Sequence, residues 1–141
     1  KIIFTGFISD ADKLMSITDI QVNASYGTEA TSLALLEGMS LGVPAVVSDF
    51  GGNPGVIKNG ENGFVVAKQN SAALKSAIEK LITDEELYKK MSERSKEIFT
   101  QTFTSQAMTR ELATLMFTLK PSEVAPVPDI IKTAWTQSRF I

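Results

Sequence analysis

The sequence predicts an α/β fold built on a parallel sheet, on three observations. Strand-like runs at Ile2-Ile3-Phe4, Ile20-Gln21-Val22-Asn23, Ala45-Val46-Val47-Ser48 and Phe64-Val65-Val66 alternate with helical or loop segments in the first half of the chain. The third run is apolar without alternation, as in a strand covered on both faces. From about Ser71 onward the periodicity is helical only. Strands joined by helices make βαβ units with right-handed crossovers. Four strands are fewer than a complete doubly wound sheet has, and the chain starts inside a strand-like run, so it reads as a piece of something longer.

Each element has a local reason. Ile2-Ile3-Phe4 forms a short buried strand that Thr5-Gly6 ends. Asp10 caps a short helix over Ala11 to Ser16, with Leu14, Met15 and Ile17 as its apolar contacts. After the second strand comes a loop of small polar residues, Ala24 to Thr28. A helix then runs from about Ser32, a reasonable N-cap, to Leu41, where Gly42 and Pro44 stop it. Gly51-Gly52-Asn53-Pro54-Gly55 reads as a loop, Val56 to Lys58 as a single helical turn, and Asn59-Gly60 and Asn62-Gly63 as turn pairs. Leu74, Ala77, Ile78, Leu81 and Ile82 define an amphipathic helix starting near Ser71. Thr83 with Glu86 has the spacing of a capping box for the next helix, which runs to about Phe99 with Glu85–Lys89 and Glu86–Lys90 as i,i+4 pairs. A further helix, near Ser105 to Leu119, places Met108, Leu112, Leu115 and Leu119 on one face as core. Pro121, Pro126 and Pro128 mark Lys120 to Asp129 as a linker, and Ile130 to Phe140 as a last short helix. The domain reading is therefore residues 1–119 as one domain and 120–141 as linker and tail.

Composition narrows the function. The chain has 141 residues, 43% of them hydrophobic, enough for one globular core. A net charge of -2 without a basic run argues against nucleic acid as a partner. With no cysteine and no histidine, neither a disulfide framework nor a zinc site of the usual donors is expected, and no metal site is assigned. No apolar run reaches the roughly 18 residues of a transmembrane helix. Cytoplasmic residence fits this composition, with peripheral association at a membrane left open for a longer protein.

The chemistry centres on Glu29 to Pro44. Glu29 and Glu37 are eight positions apart, and Glu37 lies among Leu33, Leu36, Met39 and Leu41 on a segment apolar on nearly every face. Such a helix is usually buried, and a carboxylate on it has to find partners. Ligands of open parallel sheets bind outside the carboxyl ends of the strands. There, the amides of Ala30, Thr31, Ser32 and Leu33 at the helix start could hold a phosphate, and Glu37 a ribose diol. Taken alone, Glu37 is equally well a structural acid satisfied by backbone amides or by a buried salt bridge, and that alternative stays open. Asp10-Ala11-Asp12 has the form of a metal-binding DxD, but a helix cap is the simpler reading.

The order of motifs adds a resemblance. Glu29, seven residues, Glu37, then Gly38-Met39, Gly42-Val43-Pro44 and Val46-Val47-Ser48 resemble the centre of the retaining group 1 glycosyltransferases of GT-B fold. Phe4-Thr5-Gly6 before it, and Gly51-Gly52-Asn53-Pro54 and Asn59-Gly60-Glu61-Asn62-Gly63 after it, stand in that family's order, so the likeness covers residues 1 to 103. The resemblance implies a partial C-terminal half of such an enzyme: a Rossmann-like parallel sheet flanked by helices, binding a UDP- or GDP-sugar donor and needing no cofactor. It implies Glu37 on the nucleotide ribose and Glu29, the catalytic candidate, beside the donor sugar hydroxyls. Backbone at Ala30, Thr31, Ser32 and Leu33 would approach sugar and diphosphate, while Phe7 and Ile8 line the base. The partners implied are the nucleotide-sugar, an N-terminal acceptor domain outside this chain, and a glycan or lipid-linked glycan acceptor. The chain departs from the pattern at Gly55, where many members carry an acid, and at Glu29-Ala30-Thr31-Ser32, where Glu-Gly-Phe-Gly is common. The family's diphosphate-gripping Arg and Lys would lie upstream of Lys1, so the fragment alone is expected to transfer nothing. A non-catalytic nucleotide-sugar binding or interaction module of the same fold is the alternative.

Overall fold

The computed structural model describes residues 1–27 and 30–118. The linker and tail expected over 120–141, and Leu119, lie outside the described residues. The chain divides into two compact units, Lys1–Ala107 and Met108–Ile141.

In the first unit the order is α1 (Ala11–Ser16), β1 (Gln21–Asn23), α2 (Leu33–Leu41), β2 (Ala45–Ser48), α3 (Asn53–Val56), β3 (Gly63–Val66), α4 (Ser71–Thr83) and α5 (Glu85–Ile98), with a π-helical turn at Phe99–Phe103. The helix α6 (Ser105–Thr118) follows. The sheet has three parallel strands in the order β1-β2-β3, with Gln21 beside Ala45 and Ala45 beside Gly63.

The central strand shows why its sequence does not alternate. Ala45 and Val47 join Leu35, Met39, Val56, Ile57 and Ile98 in a core on one face, with Phe99 and Phe103 packed against it. Val46 joins Ala77, Leu81 and Met91 on the other. Both faces are covered, so every residue of β2 is buried. The strand-like run Ile2-Ile3-Phe4 forms no strand, and Phe4 is 95% exposed. A strand needs a neighbour for its backbone bonds, and among the described residues none lies alongside it.

Helix ends follow local chemistry, not always as expected. Asn70 caps α4 by accepting from the Ala73 N–H at 2.9 Å. The cap of α5 is Asp84, which accepts from the Leu87 N–H at 2.9 Å; Thr83 is the last residue of α4 and gives its hydroxyl to the Glu79 carbonyl instead. Of the two i,i+4 pairs expected, Glu85–Lys89 closes at 2.6 Å and Glu86–Lys90 does not. Asp10 stands at the N-cap of α1 without a cap bond, because its carboxylate is taken by Lys13 Nζ at 2.8 Å. Nor do Leu14 and Ile17 pack as expected: both are exposed, and no residue of α1 is buried. Asn53 to Val56 is helix rather than loop, because Pro54 sits in the first turn, where its fixed φ and missing N–H suit a helix start.

Two further contacts tie the turn before β3. Buried Asn62 accepts from the Lys58 N–H at 2.7 Å and donates to the Val56 carbonyl at 3.4 Å. Arg94 bridges Glu61 and Glu97 at 3.2 and 3.0 Å, and these bonds, Glu97 first, push its guanidinium further up. On the other side of α5, burial and then Asp19 push the Tyr88 phenol up.

In α6 the stripe expected to be core is exposed: Met108, Leu112 and Leu115 are all more than half accessible. Helical spacing defines a face but does not say what covers it.

Gly63 sits so close to β2 that a Cβ there would collide with the Ala45 carbonyl. Gly63→Ala is therefore expected to destabilise the fold by roughly 1–3 kcal/mol through overpacking of backbone against backbone. Urea unfolding of the variant beside the unaltered chain checks this, and an unchanged midpoint would refute the contact.

Candidate functional site

The carboxyl ends of β1, β2 and β3 meet one edge of the sheet, where each strand turns into a helix start. Residues 24–32 lead from β1 to α2, and residues 49–52 lead from β2 to α3.

The start of α2 is the part best suited to an anion. Ser32 occupies the N-cap position but makes no side-chain cap hydrogen bond. Helices leave their first amides without internal acceptors, and here no side chain of the cap residue takes them. Among the described residues these donors and the positive end of the dipole have no side-chain partner. Ala30, Thr31 and Leu33 are exposed beside them, Leu33 at 70%, and Ser32 is half-buried. The acid expected to face the sugar, Glu29, lies outside the described residues.

Glu37 corrects the sequence reading. Leu35, Gly38 and Met39 of α2 are buried against the sheet, but Glu37 is exposed. It lines a groove of about 540 Å3 between α1 and α2, together with Ser9, Asp12, Lys13, Met15 and Ser40. The helix is apolar by composition on nearly all sides, yet only one stripe is covered, so the carboxylate keeps its water. Among the described residues no side chain pairs with that carboxylate; Ser40 Oγ donates to the Glu37 backbone carbonyl at 2.7 Å. A structural salt bridge is thereby excluded within these residues, and an accessible acceptor is what remains. Phe7, 96% exposed, and half-buried Ile8 belong to the loop that delivers Ser9 to the same groove. The structure thus brings Ser9 and Glu37 to one groove, and neither Phe7 nor Ile8 lines it.

Sequence reasoning missed the residues that hold this edge in place. Ser48, the last residue of β2, donates its hydroxyl to the Ser25 carbonyl at 2.5 Å. Asn53, at 0% exposure, donates through Nδ2 to the Ser48 carbonyl at 3.2 Å and to Ser48 Oγ at 3.4 Å. Its Oδ1 is buried without a partner among the described residues. A buried acceptor left unpaired costs about 1–3 kcal/mol. Gly52 adds a close approach, because a Cβ there would run into the Ala30 carbonyl. The signal in the sequence was Asn-Pro after Gly-Gly: a polar residue at the first turn of a helix that buries its side chain. Gly55, where the acid of the wider pattern is replaced, is exposed, and the space beside it is open.

Comparison with known proteins agrees with this geometry. The family model for glycosyl transferases group 1 matches residues 1–98. The N-acetyl-alpha-D-glucosaminyl L-malate synthase of Bacillus anthracis is 28% identical over 117 residues, 83% of this chain and 30% of the synthase. The capsular polysaccharide biosynthesis glycosyltransferase CapM of Staphylococcus aureus is 35% identical over 89 residues, 62% of this chain and 23% of CapM. The chain thus spans less than a third of the length of these curated relatives. Crystal structures of Anabaena HepE with UDP and with UDP-glucose superpose with TM-scores of 0.74 and 0.72 at 26% identity, over 82% of this chain and 32% of HepE. With a parallel sheet flanked by helices, a match over most of its length and GT-B structures as neighbours, the chain belongs to the group 1 glycosyltransferase family.

Proposed function

We propose that this chain is the donor-binding part of a glycosyltransferase that moves a sugar from a nucleotide-sugar to an acceptor hydroxyl with retention. The observation that carries the reading is the open start of α2 with accessible Glu37 on the same helix. The likeness to HepE, solved with UDP and with UDP-glucose, supports it. Glu37 accepts hydrogen bonds from a ribose diol, the amides from Ala30 to Leu33 meet the diphosphate and sugar, and Phe7 and Ile8 line the base. Glu29 stands by the sugar hydroxyls. Binding in this arrangement needs no metal or other cofactor from the chain. The nucleotide is a UDP or GDP carrier, and the acceptor is a glycan or lipid-linked glycan met by a separate N-terminal domain.

Transfer with retention would break the bond from the sugar's anomeric carbon to the diphosphate and form one to the acceptor oxygen on the same face. The acceptor proton would go to the departing diphosphate. The helix start stabilises the charge that grows on that leaving group. The residues that complete the grip on the diphosphate and seat the acceptor are not among those assigned here, so the 141-residue chain by itself binds donor weakly and transfers nothing.

Two measurements test this. Calorimetric titration with UDP and with GDP, beside a Glu37→Gln variant, is expected to show one nucleotide bound and the variant weakened roughly tenfold, the low end for a charge-assisted bond at an exposed site. Equal binding by the variant would remove Glu37 from the site. Incubation of the chain with radiolabelled UDP-glucose and mixed glycan acceptors is expected to give no labelled product. Product formation would overturn the inactive-fragment reading, whereas a longer chain that binds nucleotide and still transfers nothing would point to the non-catalytic module.

A further inference from the structure

We propose that Asn53 and Ser48 are positioning residues for donor binding: through them α3 and β2 fix the loop between β1 and α2. This rests on the donor reading above. The loop has to hold a fixed path, because its last residues present the amides that meet the diphosphate. Its start is held where Ser48 Oγ donates to the Ser25 carbonyl. Ser48 is itself oriented by Asn53 Nδ2, which donates both to its carbonyl and to its hydroxyl oxygen. With its hydroxyl hydrogen committed to Ser25, Ser48 Oγ has only lone pairs to offer, and the Asn53 amide N–H is the matching donor. Close to the loop's other end the same segment acts by contact, since Gly52 lies against the Ala30 carbonyl too tightly for any side chain. The loop is thus gripped at Ser25 and at Ala30 from one short helix and the strand before it.

Burial marks this as a device beyond ordinary packing. Asn53 is fully buried, and its carbonyl oxygen is left without a donor among the described residues. An apolar residue would fill the same space without stranding that acceptor. What an apolar residue cannot do is set the direction of the Ser48 hydroxyl.

The experiment is UDP titration of the 15N-labelled chain by NMR, which measures weak affinities, with thermal unfolding of each variant in parallel. Ser48→Ala and Asn53→Leu are expected to weaken UDP binding roughly tenfold, the scale of one lost positioning bond. Ser48→Thr, which keeps the hydroxyl, is expected to bind within about twofold of the unaltered chain, as one retained bond predicts. Ala77→Gly, in the core on the opposite face of the sheet, serves as control: it lowers the melting temperature and leaves UDP affinity unchanged. Wild-type affinity in both Ser48→Ala and Asn53→Leu would overturn the proposal, and so would an equal loss of affinity in Ala77→Gly. If the unaltered chain shows no shift with UDP and none with GDP, the donor reading itself fails, and the role assigned to Asn53 and Ser48 falls with it; if GDP alone shifts it, the same variants are compared with GDP.

Discussion

The parallel pairing of β2 between β1 and β3 is the constraint on which the first unit depends. Its four residues, Ala45 to Ser48, are buried, and the strand pairs with β3 over all four and with β1 over Ala45 to Val47. The face toward α2 and α3 takes Ala45 and Val47, with Ile98 of α5, and the face toward α4 takes Val46, with Met91 of α5. Because β2 ends in Ser48, the strand that organises the core also delivers the hydroxyl that reaches the β1–α2 loop. Packing and site geometry are therefore joined at one residue: the core fixes where β2 ends, and that end fixes where the loop begins.

The site uses the opposite strategy on α2. One stripe of that helix is sealed against the sheet, and its N-terminus and its outer side are left open. A capped start would have taken amides away from an anion, and a covered Glu37 would have needed an internal partner. Leaving both open makes α2 a less self-sufficient helix, which suits the donor-binding role proposed for it.

The sequence was most legible where burial and periodicity agree. The unalternating run at Ala45 to Ser48, the helix from Ser71 and the helix from Glu85 all had such a signature, and β3 was bounded by its turn pairs. Ile2 to Phe4 had the composition of a strand but not the partner, and pairing is not written in three residues. Glu37 was misread for a related reason: apolar neighbours along a helix say what could be buried, while only the tertiary arrangement says which side is. The candidate site residues came chiefly from the order of motifs, which includes Gly51-Gly52-Asn53-Pro54 but does not say that the Asn53 side chain is buried. The structure alone shows that this turn is a helix start with a buried amide. The domain boundary proposed at residue 119 and the acid at Glu29 rest on the sequence reading.

Gly55 sits at the third position of the short helix whose first residue, Asn53, orients Ser48, and the space beside it is open. The chain contains no cysteine. A single thiol introduced there would be the sole attachment point for a fluorophore or spin label, placed two residues from Asn53 and outside the core. The residue that departs most visibly from the wider pattern therefore offers a spectroscopic window onto α3 that a chain keeping the acid would have to give up a side chain to obtain.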